Sequence, residues 1–146
     1  MARMWDEFKL TADVRETGGA GASINKRGVI CLNAHAWKGF GSPEAVVLLF
    51  DKLNRVIGLR PCHPRLDNAV PVRKKYPGGK DDRMVIRAIA LCHYHELTIT
   101  TTLRFRNPAI NKSGVLELDL RDAYEVGWQN IKRSREHEYS AFSLDP

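Results

Sequence analysis

The stretch SINKRGVICLN, residues 23–33, comes back late in the chain as AINKSGVLELD, residues 109–119. With Ile24 set against Ile110, Asn25 falls on Asn111, Lys26 on Lys112, Gly28 on Gly114, Val29 on Val115, Leu32 on Leu118 and Gly41 on Gly127. Ile30 meets Leu116, and Asn33 meets Asp119. In each copy a glycine able to take a positive φ ends a short polar turn and opens an apolar run of strand length. Asn33 and Asp119 are both good helix N-caps. The pattern predicts strand, tight turn, strand and short capped helix, written twice.

Around the first copy the signals continue. AHAWKGFG, residues 34–41, predicts about two helical turns closed by Gly41, with Ala36, Trp37 and Phe40 on a buried face. AVVLLFD (residues 45–51) has the composition of a buried strand, residues 52–55 of a hairpin turn, and VIGLRP (residues 56–61) of the returning strand, closed by Pro61. Residues 22–61 therefore form a β-β-α-β-β unit.

Residues 62–108 are a basic connector carrying a strand and a helix. AVPVR is an expected edge strand, and YPGGKDD a loop. MVIRAIALCHYHEL runs from strand into helix with Ile86, Ala90 and Tyr94 at fourfold spacing, and the threonine-rich TITTTLRFR should be extended. The second unit occupies residues 109–130, where DLRDAYEVG predicts a capped short helix ending at glycine. Residues 1–21 read as a flexible arm that thins into ETGGAGA, and residues 131–146 as a polar tail. Trp5 and Trp128 are candidate anchors for the termini.

Length and composition bound the rest. The 146 residues, 43% hydrophobic and 27% charged, are enough for one globular domain with a real core. The longest apolar run, AVVLLF, has strand length and falls far short of the ~20 residues of a membrane span. MARMWDEFKL lacks the apolar centre of a signal peptide. The odd set Cys31, Cys62 and Cys92 predicts free thiols, and with them a cytoplasmic setting. A net charge of +6 points toward phosphate-rich partners, since lysine and arginine gain affinity by releasing counterions from nucleic acid.

The unit SINKRGVICLNAHAWKGFGSPEAVVLLFDKLNRVIGLRP resembles the swapped-hairpin module of the AbrB/SpoVT/MraZ superfamily of bacterial transition-state regulators and antitoxin DNA-binding domains. The resemblance covers residues 22–61 well and 109–127 in part. It implies a mostly β fold with short α-helices, a small swapped-hairpin-type barrel built from two related β-β-α halves. It implies closure between two chains of a homodimer, or between the two copies in one chain. It further implies binding to double-stranded DNA through basic residues near the glycine turn and on the short helix. Val29 and Asn33 stand where the family commonly has arginine and proline. The second copy is acidic, with Glu117, Asp119, Asp122 and Glu125.

The expected DNA-contacting set is Lys26 and Arg27 at the first turn, Lys38 on the helix, and Arg73, Lys74 and Lys75 in the densest cationic stretch, near Lys80 and Arg83. A protein-interaction or assembly module with the same barrel and no DNA face is the alternative, favoured by Val29, Trp37 and the acidic second helix. Cys62-His63 with Cys92-His93-Tyr94-His95 is the one metal-like pattern. Adjacent cysteine and histidine side chains diverge, however, so no zinc site, cofactor or catalytic residue is expected. No phosphate-binding loop, dinucleotide fingerprint or nucleophile elbow occurs, and the chain is not expected to be an enzyme.

Overall fold

The structure is a computed structural model, described here over residues 19–126. The first hairpin is β1 (Ala22–Ile24) and β2 (Val29–Leu32), followed by α1 (Ala34–Gly39) and a second hairpin of β3 (Ala45–Asp51) and β4 (Val56–Pro61). The connector supplies β5 (Ala69–Pro71), β6 (Arg73–Lys74), β7 (Met84–Arg87), α2 (Ile89–Tyr94) and β8 (Leu103–Phe105). The second copy gives β9 (Ala109–Ile110), β10 (Leu116–Asp119), a 3-10 turn (Leu120–Asp122) and β11 (Ala123–Glu125).

The repeat is real in local geometry. In the first turn Asn25 Oδ1 accepts the amides of Arg27 and Val29, both at 3.0 Å, and the Gly28 amide donates to the Asn25 carbonyl at 2.9 Å. In the second, Asn111 Oδ1 accepts from Ser113 (2.8 Å) and Val115 (3.1 Å), and Gly114 donates to Asn111 at 3.0 Å. Gly28 and Gly114 sit at φ 90° and 82°. An asparagine that satisfies its own turn's amides, followed by a left-handed glycine, is thus the physical content of the shared Asn-x-x-Gly.

After the turns the copies part. Asn33 caps α1, its Oδ1 accepting the Ala36 amide at 2.8 Å, while Asp119 caps only the 3-10 turn through the Arg121 amide at 2.9 Å. The short helix expected at residues 119–127 is therefore corrected. Ala123–Glu125 is drawn into a strand against β8, with Tyr124 opposite Arg104. Sheet pairing there outweighs a weak helical preference that would have nothing to bury. The fourfold spacing read through Ile86, Ala90 and Tyr94 is also corrected. Ile86 lies in β7, Tyr94 is 83% exposed, and the buried residue of α2 is Cys92.

Every strand pair is antiparallel, in a six-stranded sheet ordered β11-β8-β1-β2-β7-β6 and a five-stranded sheet ordered β9-β10-β4-β3-β5. AVPVR, expected as one edge strand, splits at Val72 into β5 on the edge of one sheet and β6 on the edge of the other. β10 of the second copy pairs with β4 of the first unit, Leu118 opposite Ile57 and Leu116 opposite Leu59. β2 of the first copy pairs instead with β7, Ile30 opposite Ile86. Each copy's hairpin thus borrows a strand from a hairpin elsewhere in the chain, so neither long edge is left open. The described residues form two sheets and no closed barrel.

The inner faces meet in one core. Ile24, Ile30, Leu32 and Ile86 come from the six-stranded sheet, and Val46, Ile57, Leu59 and Leu118 from the other, all fully buried. At about 1.5–3 kcal/mol per buried aliphatic side chain, this double layer is the main favourable contribution to folding. Phe40, the C-cap of α1, is buried on it, and Trp37 packs half-buried with its indole N–H donating to the Pro43 carbonyl at 3.0 Å. Trp5 and Trp128 lie outside the described residues. No described helix is long and apolar enough to cross a membrane.

Candidate nucleic-acid interface

Since β-strand side chains alternate and cross-strand partners share a face, burying one face of the six-stranded sheet dictates what the other presents. Ser23 lies opposite Cys31 and Arg104, Cys31 opposite Val85, Val85 opposite Arg73, and Arg104 opposite Tyr124. One row of the outer face therefore runs Tyr124, Arg104, Ser23, Cys31, Val85, Arg73. One residue pair further on, the Lys75 amide donates to the Arg83 carbonyl at 2.9 Å, and the Arg106 amide to the Asp122 carbonyl at 3.0 Å. Lys75, Arg83 and Arg106 thereby join the same face. Arg87, opposite Val29, adds a cation near the turn end.

The result is a trough with small residues along its floor and cations on both flanks. Gly21, Ser23, Cys31 and Asn33 form the middle, with the Gly21 amide donating to Asn33 Oδ1 at 3.0 Å. A side chain at Gly21 would strike Asn33 Nδ2 and come within 3.3 Å of an Arg104 guanidinium nitrogen. Arg104 and Arg106 stand on one flank, and Arg73, Lys75 and Arg83 on the other. Four strand spacings separate β8 from β6, about 19 Å. All five of these side chains are exposed.

The electrostatics agree with that arrangement. Burial, with a smaller push from Asp81, holds the Cys31 thiol above its ordinary pKa, and the charges of Lys75, Arg83 and Arg104 offset part of that rise. Cations from both flanks thus act on one point of the floor. Two of the cations are partly neutralised. Arg83 forks onto Asp81, with Nη2 2.6 Å and Nε 3.0 Å from Oδ2, and Arg106 Nε lies 3.6 Å from Asp122. The fork, first through the Arg83 side chain and then through its amide, holds the Asp81 carboxyl down at about 2. Arg73, Arg87 and Arg104 have no ion pair among the described residues. The two tyrosines nearby are covered by cations, Tyr76 by Lys75 and Arg83 at 5.6 Å each and Tyr124 by Arg106 at 4.6 Å.

The residues expected from sequence are only partly brought together. Arg73 and Lys75 lie on the cationic face. Lys74, opposite the buried Met84, points to the other side, its ammonium 3.9 Å from Asp82. Alternation separates what adjacency in sequence had joined. Lys26 and Arg27 are exposed at the tip of the first turn, at the opposite end of the sheet from Lys75 and Arg83. Lys38 is exposed on α1. Arg104 and Arg106 were not among the expected residues, although LRFR carries the signal. Arginine, buried Phe105, arginine is a period-two pattern with one wet face.

Among the described residues no three histidine, cysteine, aspartate or glutamate side chains lie close enough to hold a metal ion. Cys31, Cys62 and Cys92 are free thiols. Compared with known proteins, the chain matches no family model, no curated protein and no solved structure.

Proposed function

We propose that the chain is a DNA-binding module that grips the phosphate backbone with the outer face of its six-stranded sheet, in keeping with a regulator of the swapped-hairpin type. The observation that carries the proposal is the two-flanked trough, Arg104 and Arg106 facing Arg73, Lys75 and Arg83 across a floor of small residues. Backbone contacts of this kind hold a polyanion without reading its sequence. Among the described residues the two tyrosines of the face, Tyr76 and Tyr124, each have a cation over the ring, so the face offers charge more than stacking surface. That favours duplex DNA over splayed single strands, whose binders rely on base stacking.

Adding a mixed-sequence duplex to labelled protein should move the amides of residues 21–23, 31–33, 73–75 and 104–106. A substitution of opposite sign sharpens the test. Asp81→Asn removes a carboxylate from the face and should tighten binding severalfold at low salt, where Arg104→Ala weakens it. Shifts confined to the five-stranded sheet, or no shifts at all, would refute the proposal.

The second reading, a protein-interaction module, also has an observation in its favour. The outer side of the five-stranded sheet holds a groove of about 540 Å³ with Leu49, Val56 and Val115 on its floor and Asp51, Glu117 and Arg121 on its rim. Leu53, at the tip of the β3–β4 turn, is 86% exposed. A cationic, partly apolar polypeptide suits that surface, and shifts there on adding a protein partner would favour this reading.

A further inference from the structure

The first turn does more than close a hairpin. Its glycine leans on α2: a Cβ at Gly28 would sit 3.1 Å from the Ile89 Cα and 3.3 Å from Cys92 Sγ, and the Ala88 amide donates to the Gly28 carbonyl at 2.8 Å. α2 then ends in an uncommon way. Glu96 takes φ 56°, the left-handed conformation usually left to glycine, while its amide donates to the His93 carbonyl and the Leu97 amide to the Cys92 carbonyl at 2.8 Å. This reversal buries Leu97 and turns residues 98 and 99 back toward the tip of the first turn. Between them opens a cleft of about 600 Å³, within the size range of small-molecule sites.

The lining has two characters. Ile89, Leu97 and Ile99 make an apolar floor. Lys26 and Arg27 stand on one rim, with His93 beside them and Glu96 as the one carboxylate. The second copy shows that this chemistry does not come with the turn itself. Gly114 has the same left-handed conformation but nothing within 4 Å of its Cβ position, and the groove beside that turn has Asp51, Glu117 and Arg121 on its rim. The same turn is set against two different surfaces whose rims differ in net charge, two cations and one carboxylate at the first against two carboxylates and one cation at the second.

We infer that the cleft between the first turn and residues 96–99 binds a small amphipathic organic anion, an apolar body bearing one carboxylate. The apolar part covers Ile89, Leu97 and Ile99, and the carboxylate meets Lys26 and Arg27. A bare phosphate or a nucleic-acid backbone would leave the apolar floor wet, and a neutral hydrocarbon would leave the cations unused. This site is separate from the cationic face of the sheet and does not depend on DNA binding.

The test is a titration of the labelled full chain with 1-naphthylacetate, followed by amide shifts, with the uncharged 2-(1-naphthyl)ethanol as control. Saturable shifts are expected at residues 26–28, 92 and 96–99, with a dissociation constant at or below about 1 mM, the range open to a ligand of this size. The alcohol, and the acid on Lys26→Ala/Arg27→Ala, should each bind about tenfold more weakly. Thr98→Trp, which fills the cleft from an exposed position, should abolish binding while the spectrum stays dispersed. The inference is overturned by equal binding of the alcohol, by shifts elsewhere, or by the absence of saturation. Because the duplex titration reads a different face, its outcome and this one stand independently.

Discussion

At the scale of single residues, the two turn glycines make a controlled pair. Both need a positive φ, so alanine at either position costs about 1–2 kcal/mol for the left-handed backbone. Only Gly28 also lacks room, since its Cβ would press on the backbone of Ile89. Gly28→Ala should therefore destabilise the fold by about 2–4 kcal/mol and Gly114→Ala by about half as much, compared by urea denaturation. Equal losses would show that the docking of the first turn on α2 is not tight. Asp81 gives the pH counterpart. Its folded pKa of about 2 lies below the ordinary 3.8, so its fork with Arg83 stabilises the loop fully above about pH 4. The contribution fades as the pH falls from there through 2. A carboxyl titration by carbon-detected NMR should place its midpoint near 2, and an unshifted midpoint would mean that the fork does not persist in solution.

At the scale of elements, the strands and turns of the first unit were legible because each has a cause that the sequence displays. Asn-x-x-Gly makes its own turn, Asn33 makes its own cap, and a run such as AVVLLF has no other use at that length. The strand after Asp119 was not legible, because strand or helix there is decided by pairing with β8, and although TITTTLRFR shows that β8 is extended, nothing in it shows which segment it pairs with. The pairing of β10 with β4, and of β2 with β7, was hidden for the same reason. The candidate site shows a similar divide. Arg73 and Lys75 stood out as a charge run, but the face they share with Arg104 and Arg106 exists only through the strand order. The caps yield a contrast that can be measured. Asn33 supports both α1 and the Gly21 amide, so Asn33→Ala should cost about 1–2 kcal/mol. Asp119→Ala, which frees the end of one exposed 3-10 turn, should cost well under 1 kcal/mol by the same denaturation assay. The reverse order would contradict the assignment of the two caps.

At the scale of the molecule, two turns of the same local geometry are set in two different sheets with different outer surfaces. Two copies of one hairpin, each paired with a strand lent from elsewhere, put two apolar faces around one core. The outer faces differ: one carries Arg73, Lys75, Arg83, Arg104 and Arg106, and the other carries Asp51, Glu117 and Asp119 together with Arg60. Part of the chain's positive charge is gathered on that first face, in Arg73, Lys75, Arg83, Arg104 and Arg106. In the proposed function it is the cationic trough, and not the charge at large, that holds DNA. Its most direct test is fluorescence polarisation with a mixed-sequence duplex at several salt concentrations, using native protein and Arg73→Ala/Lys75→Ala/Arg104→Ala. Salt-dependent binding is expected of the native chain, and in the variant a logarithmic salt slope shallower by about three, with affinity lower by about two orders of magnitude at low salt. An unchanged slope and affinity in the variant, or no binding by the native protein at low salt, would contradict it.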